Sequence, residues 1–178
     1  MKTAVFCVGN RLMLDEGIGP AVYDELIVSY QFPSSVELLD VGCMSLKMIE
    51  YVRDFDFVLT VDAVDKTGEK PGTLFRYAPE DMMPHNSALQ SLHDLKLIDL
   101  FDAAVLLGYE AQGLCLGMQI ENMSPAELTI GLTPRVYAAL PLLVDLVLAE
   151  LTHRGIEIKT KSDGRVVDAS WHHSIATA

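Results

Sequence analysis

Short apolar runs alternate with amphipathic stretches along most of the chain. The runs, each bounded by turn-forming or acidic residues, are Thr3 to Val8, Val36 to Leu39, Phe57 to Val61 and Leu114 to Ile120. Such runs are typical of buried strands. Strands that alternate with helices favour a parallel sheet, because each return to the sheet passes through a helix. The pattern predicts an α/β fold with a mostly parallel sheet covered by helices on both faces.

Helical periodicity occupies the intervals between these runs. The predicted helices are Pro20 to Ser29, Ser45 to Val52, a helix that begins at Ser91, and a long apolar helix from Pro134 to about His153. Thr133 and Pro134 supply an N-cap and a proline at the first position of the last helix. A further short run, Thr73 to Tyr77, predicts an extra antiparallel strand at an edge of the sheet.

No internal repeat and no linker divides the chain. Residues 1–158 are therefore predicted to form a single α/β domain with a sizeable core. The segment 159–178 is polar and has no core-forming pattern. We expect it to be a flexible C-terminal tail.

The charge balance limits the partners that the protein can take. Thirteen Lys and Arg residues stand against 25 Asp and Glu residues, for a formal net charge of -12. A surface of this sign repels phosphate backbones and anionic lipids. We therefore expect neither nucleic-acid binding nor membrane binding.

Two further patterns concern the compartment. The apolar stretch from Val136 to Leu151 contains Pro141 and two acids, so it is too short and too interrupted to cross a bilayer. The three cysteines are far apart and form no Cys-x-x-Cys pair, which favours neither a disulfide framework nor a thiolate zinc site. These patterns predict a cytoplasmic protein.

Acidic residues follow three of the predicted strands. Glu16 comes after the first strand, Asp40 closes the second and Asp62 closes the third. In an open α/β sheet, ligands bind in the crevice beyond the carboxyl ends of the strands. His93 begins a helix that should leave the same edge of the sheet. The four residues are predicted to lie near one another.

Two carboxylates and one imidazole are a mixed oxygen and nitrogen donor set that suits a divalent transition metal. Glu16, Asp62 and His93 are the candidate ligands. Clustered carboxylates repel one another, and a bound cation relieves that repulsion. Three protein ligands would also leave coordination positions open for water or for a group of the substrate.

Each of these residues also has a purely structural interpretation. Glu16, with the neighbouring Asp15, can oppose the dipole of the following helix, and Asp40 and Asp62 can cap the segments after them. His93 shares a helix face with apolar residues and can be a packing histidine.

Other residues are rivals for a ligand role. His85 lies in an irregular segment, the pair His172-His173 lies in the predicted tail, and Cys43 could offer a soft ligand beside Gly42. The structural alternative for His172-His173 is a histidine pair exposed to solvent, and that for Cys43 is a thiol packed in the protein interior.

The spacing of residues disfavours two common kinds of site, a nucleotide-binding loop and the active site of a serine hydrolase. The glycines Gly9, Gly17 and Gly19 form neither the compact dinucleotide signature nor a P-loop, and acids at the helix start would repel phosphate. A Ser-His-Asp hydrolase would need a Gly-x-Ser-x-Gly elbow, which the chain lacks.

The chain resembles the hydrogenase maturation peptidases, which cleave the C-terminal peptide of nickel-iron hydrogenase large subunits once nickel is installed. The resemblance covers about residues 1 to 155. Its strongest block runs from Gly9 to Gly19; the others are Asp40-Val41-Gly42, Val61-Asp62-Ala63, Ser91-Leu92-His93, Gly72-Thr73 and Leu132-Thr133-Pro134.

This resemblance implies a three-layer sandwich with a twisted sheet and metal-ligand roles for Glu16, Asp62 and His93. It also implies that the nickel is carried by the substrate, the nickel-loaded precursor of a hydrogenase large subunit; other divalent metals can substitute. The residues after the second strand depart from the glycine-rich pattern of the family, since Val41 follows Asp40.

The resulting hypothesis is an endopeptidase of aspartyl or metal-assisted type. Its candidate catalytic residues are Asp40, Glu16 and Asp62, which would help to activate water and stabilise the oxyanion. A non-catalytic nickel-binding chaperone or checkpoint protein that uses the same ligands is the main alternative, and a small-ligand α/β binding protein is a third. The sequence does not define the oligomeric state.

Overall fold

The computed structural model describes residues 1–43, 48–78, 103–168 and 176–177. The strands are β1 (Thr3–Val8), β2 (Tyr30–Gln31), β3 (Val36–Gly42), β4 (Phe57–Val64), β5 (Leu74–Tyr77), β6 (Gln112–Gln119), β7 (Lys159–Thr160) and β8 (Ala176–Thr177). The helices are a 3-10 turn (Leu14–Gly17), α1 (Ile18–Ser29), α2 (Ile49–Val52) and α3 (Pro134–His153). Residues 103–106 form one more helical turn.

Six of the described strands form the main sheet, in the order β3-β1-β4-β6-β5-β8. β1 pairs in parallel with both β3 and β4, and β4 pairs in parallel with β6. β5 is antiparallel to β6. The central strands β1 and β4 are buried along their whole length, as expected for strands with helices on both faces.

The core has two layers, one on each face of the sheet. On one face, α1 and α3 pack against apolar side chains such as Val5, Leu59 and Leu116. On the other face, α2 and residue Ala104 pack against a smaller apolar cluster around Phe6 and Val58. The predicted α/β fold, a three-layer sandwich with a mostly parallel sheet, is confirmed.

α3 is long and apolar enough to cross a membrane by length and composition, with 56% of its most apolar window buried inside the protein. Its residues Leu143, Val147 and Leu151 are fully buried, and it contacts α1 and β6. The buried carboxylate of Glu150 accepts hydrogen bonds from Arg76 and Arg154. These contacts are those of a helix in a protein core.

Three details of the predicted elements need correction. β3 and β4 extend through Gly42 and Val64, so Asp40 and Asp62 lie within strands rather than after them. The sequence predicts the segment Thr73 to Tyr77 at an edge of the sheet, but β8 pairs with the other side of β5. The hydroxyl of Thr133 makes no capping bond to α3.

Parts of the segment predicted to be a flexible tail pair with other strands. β7 is antiparallel to β2, with Tyr30 opposite Thr160, and the N–H of Val167 donates to the carbonyl of Ile158 at 2.8 Å. The mobility of residues 159–178 stays a prediction.

Candidate functional site

The start of α1 lies directly on the ends of β1 and β4. A Cβ atom at Gly19 would stand 2.0 Å from the carbonyl oxygen of Val8 and 2.9 Å from that of Val61. Only glycine permits such a close approach of a helix to two strand ends. The residues just before α1 are therefore held at the carboxyl edge of the sheet.

Glu16 is fixed at this edge by the loop after β1. The N–H of Asn10 donates to the Glu16 carbonyl at 3.2 Å, and the N–H of Glu16 donates to the Met13 carbonyl at 3.2 Å. Gly9, at φ +144°, lies so close that a Cβ atom there would be 2.0 Å from the Glu16 carbonyl oxygen. Glu16 is buried, with 7% of its surface exposed. Its position is thus set by main-chain contacts that tolerate no side chain at position 9.

Asp62 lies at the point where β1 and β4 separate. Val61 is the last residue of β4 that pairs with β1, whereas β4 continues beside β6 to Val64. Asp62 is therefore the first residue of β4 beyond its pairing with β1, and it is only 8% exposed. The 3-10 turn that contains Glu16 contacts β4. The structure brings Glu16 and Asp62 to the same edge, as the sequence predicts.

The two faces of the sheet separate Asp62 from Asp40. Val61 and Ala63 belong to the core layer that contains α1 and α3, and Val64 belongs to the opposite layer. Since strand side chains alternate, Asp62 lies on the face opposite α1. Asp40 pairs with Cys7, whose side chain is in the α1 layer, so Asp40 lies on the α1 face.

Arg11 joins Asp40 to α1. Its guanidinium donates to Asp40 Oδ2 from Nε at 3.0 Å and from Nη2 at 2.8 Å, and to Asp24 on α1 at 2.5 and 2.9 Å. Asp40 Oδ1 also accepts the N–H of Gly42 at 3.3 Å. Hydrogen bonds from Asp24 and then from Asp40 raise the pKa of Arg11 above its ordinary value. This three-residue cluster could not be predicted from the sequence, because its members come from three separate parts of the chain.

Asp15 has a structural role that the sequence did not reveal. Its carboxylate is fully buried and accepts the main-chain N–H groups of Glu121, Asn122 and Thr133, together with the Thr133 hydroxyl. The loop between β6 and α3 is thereby attached to the 3-10 turn at both its ends. The sequence suggests only a helix-dipole role for Asp15. These contacts could not be predicted from it, because they involve a loop more than 100 residues away along the chain.

The histidine candidates lie outside the described residues, namely His93, His85 and the pair His172-His173. Cys43 is exposed at the end of β3. Among the residues that the structure describes, no group of three or more His, Cys, Asp or Glu side chains could hold a metal ion. Glu16 and Asp62 supply oxygen donors of the kind a divalent cation takes, and a third ligand would come from elsewhere.

Comparison with known proteins identifies the family. The family model for hydrogenase maturation proteases matches residues 20–150. The hydrogenase 2 maturation protease of Escherichia coli K12 is 32% identical over 158 residues, which are 88% of this chain and 94% of that protein. The chain belongs to the hydrogenase maturation protease family. The resemblance predicted from the sequence is confirmed, and with it the general class of the enzyme, a protease.

Solved structures of family members have the same fold. The hydrogenase maturating endopeptidase HybD from E. coli has a TM-score of 0.81 at 30% sequence identity, covering 92% of this chain and 99% of that one. A maturation protease from Thermococcus kodakarensis has a TM-score of 0.67 at 20% identity over 83% of this chain and 97% of its own. At that lower identity the likeness concerns the fold alone.

Proposed function

We propose that this protease removes the C-terminal peptide of a nickel-iron hydrogenase large subunit after nickel insertion, and that it recognises the nickel held by that precursor. The observation that carries the proposal is the pair of nearly buried carboxylates, Glu16 and Asp62, at the edge where β1 ends beside β4. Family membership supports the protease activity, and this edge is where an α/β sheet binds its ligand.

The two carboxylates suit a metal that arrives with the substrate. Both carboxylates are nearly buried, and a divalent metal is a partner that two carboxylates can share. His93 is the proposed third ligand. The nickel of the precursor would complete this site, and its arrival would position the nearby scissile peptide bond.

Hydrolysis of the peptide bond requires a water molecule to lose a proton and an oxyanion to be stabilised. Asp40 is the proposed group for water activation or peptide positioning. Its carboxylate is partly exposed and held by Arg11, so its direction is defined while one side remains open to solvent. Glu16 and Asp62 act on the substrate through its metal.

The cytoplasm is the proposed site of action. None of the three cysteines, which all lie in the described part of the chain, forms a disulfide. A protein that keeps its cysteines as thiols fits a reducing compartment.

The deciding experiment is incubation of the purified protein with nickel-loaded and nickel-free precursor, followed by mass spectrometry of both polypeptides. We expect loss of the C-terminal peptide only from the nickel-loaded precursor. A stable complex without cleavage would instead favour the nickel-binding chaperone. Cleavage of both precursors at equal rates would contradict recognition of nickel, and Asp62→Asn serves as the inactive control.

A further inference from the structure

A short exposed segment with one isolated β-bridge lies in the loop between β6 and α3, next to the residues that hold Glu16. Residues 128–130 form a parallel bridge with the loop after β1, in which Met13 is opposite Thr129. The N–H of Thr129 donates to the Leu12 carbonyl at 2.8 Å, and its carbonyl accepts the N–H of Leu14 at 2.9 Å. Since main-chain groups of neighbouring residues in a strand point to opposite sides, Leu128 and Ile130 direct theirs away from this bridge.

The outward groups are available for pairing. In the described part of the chain, the main-chain N–H and C=O groups of Leu128 and Ile130 make no hydrogen bond. Proteins usually protect such an edge with proline, lysine or a covering segment. The sequence Leu128-Thr129-Ile130 contains neither proline nor a charged residue.

The side chains on this edge are apolar and exposed. Leu128 is 73% exposed and Ile130 is 79% exposed, while Leu12, which the bridge sets beside them, is 44% exposed. Side chains two residues apart on a strand lie on one face, so Leu128 and Ile130 form one apolar strip. A strip of this kind next to a binding site is typical of an interaction surface.

The edge is firmly attached to the residues that hold Glu16. Asp15 binds both ends of the loop 121–133, and Met123 and Leu132 of that loop pack against the core. Leu14, which bonds to Thr129, begins the 3-10 turn that contains Glu16. A peptide paired with this edge would therefore be held in a defined position relative to Glu16.

We propose that the outward edge of residues 128–130 is the docking strand for the substrate. An extended segment of the precursor next to the scissile bond pairs with the N–H and C=O groups of Leu128 and Ile130, and its alternate apolar side chains cover the exposed strip. Strand addition of this kind obtains affinity from main-chain hydrogen bonds and selectivity from alternate side chains. The inference rests on the proposed function, since the peptide is its substrate.

Two variants test the edge separately. Ile130→Pro removes one outward N–H and leaves the Thr129 bridge intact, and the double variant Leu128→Ser/Ile130→Ser removes the apolar strip. Val28→Ser is the matched control, because Val28 is 70% exposed near the C-terminal end of α1. Urea unfolding of each variant establishes that it is folded.

We expect KM for the nickel-loaded precursor to rise about fivefold in Ile130→Pro, the loss expected for one main-chain hydrogen bond. In the double variant we expect KM to rise about tenfold or more, because the apolar strip is lost. The kcat should stay within about twofold in both, because binding alone is removed. An unchanged KM in both folded variants, or an equal rise in Val28→Ser, would overturn the docking strand.

A separate readout distinguishes failure of this inference from failure of the proposed function. If the wild-type protein cleaves no precursor, the proposed function fails, and hydrogen exchange at the Leu128 and Ile130 amides is then measured with and without the nickel-loaded precursor. Slower exchange at both amides supports the docking strand. Exchange that the precursor does not alter contradicts it.

Discussion

The carboxylate of Asp15 holds Thr133 at two points, accepting its main-chain N–H at 2.6 Å and its hydroxyl at 3.0 Å. The two residues are 118 positions apart in the chain. Thr133 precedes α3 and Asp15 precedes Glu16, so this contact connects the beginning of a core helix to the residue next to a candidate ligand. A buried hydrogen-bond network of this kind fixes one local arrangement.

Asp15→Asn should destabilise the protein and slow precursor cleavage. Both carboxylate oxygens of Asp15 accept hydrogen bonds. An asparagine amide has only one acceptor oxygen, and its NH2 group would face N–H donors with which it cannot bond. We expect the free energy of unfolding to fall by about 2–4 kcal/mol, the range for a buried polar group left without its partners. Urea denaturation measures it.

Asp24→Asn is the control for that measurement, since Asp24 is half exposed and its ion pair is of the weakly stabilising surface type. Its unfolding midpoint should be close to that of the wild type. An Asp15→Asn midpoint equal to that of Asp24→Asn would show that the buried network adds no stability.

Cys7 should make stability fall at high pH. Burial, with smaller contributions from Asp40 and Asp24, raises the pKa of the Cys7 thiol far above its ordinary value. In the unfolded chain the thiol ionises near its usual pKa of about 8.5. The stabilisation is therefore complete below about pH 8.5 and is lost as pH rises above it, because only the unfolded chain releases the proton.

The measurement is urea unfolding near pH 8 and near pH 10. The decrease in unfolding free energy should be about 2 kcal/mol larger for the wild type than for Cys7→Ala. Cys43→Ala should keep the wild-type decrease, since Cys43 is exposed. Equal decreases in the wild type and Cys7→Ala would be inconsistent with a buried thiol at position 7.

The strands of the sheet centre could be predicted from the sequence because both faces of each are buried. β1 was predicted with its observed bounds, and β4 and β6 were predicted to within a few residues. β8 has two residues, too few for any hydrophobic period, and it is recognised by its pairing with β5. Strand ends were underestimated where apolar character ceases before pairing does, as at Asp40 and Asp62.

The site was predictable as a set of positions but not as a set of contacts. Topology alone implies that Glu16, which follows β1, and Asp62, near the end of β4, meet at one edge of the sheet. The opposite faces of Asp40 and Asp62 depend on register, and the pairing of Asp40 with Arg11 depends on how the loop after β1 folds. Neither follows from the spacing of residues along the chain.

Pro141→Ala should stabilise the protein. Pro141 lies inside α3, where proline removes one helical hydrogen bond and costs up to about 3 kcal/mol relative to alanine. Its side chain is exposed, so the change removes little packing. We expect the thermal midpoint to rise. A lower midpoint would mean that the proline stabilises α3 through contacts other than helix propensity.

Arg11→Met should slow precursor cleavage with little change in stability. The variant leaves the Asp40 carboxylate without the cation that orients it, while exposed ion pairs contribute only about 0–1 kcal/mol to stability. Arg53→Met is the matched control, because Arg53 pairs with Asp54 on the surface. Single-turnover rates and urea midpoints of the two variants are compared. Equal cleavage rates in Arg11→Met and Arg53→Met would contradict a role for Arg11 in positioning Asp40.

Asp40→Asn and Glu16→Gln should affect different steps, because their carboxylates lie in different surroundings. Asp40 is partly exposed and bonded to Arg11, whereas Glu16 is nearly buried at the edge beside Asp62. If Asp40 activates water, Asp40→Asn should bind nickel-loaded precursor normally and cleave it about a hundredfold more slowly, the usual loss of an acid-base group. Loss of a metal ligand in Glu16→Gln should weaken both binding and cleavage.

The experiment measures precursor affinity and single-turnover cleavage for both variants, with Asp24→Asn as the control. That control removes the other carboxylate partner of Arg11 and keeps Asp40 itself, so it separates the chemistry of Asp40 from the integrity of the ion-pair cluster. If Asp24→Asn also cleaves slowly, the slow cleavage by Asp40→Asn would be due to loss of the ion-pair cluster and not to the chemistry of Asp40. Reduced affinity in Asp40→Asn would assign Asp40 to recognition, since a group that acts only on the reacting water does not alter binding.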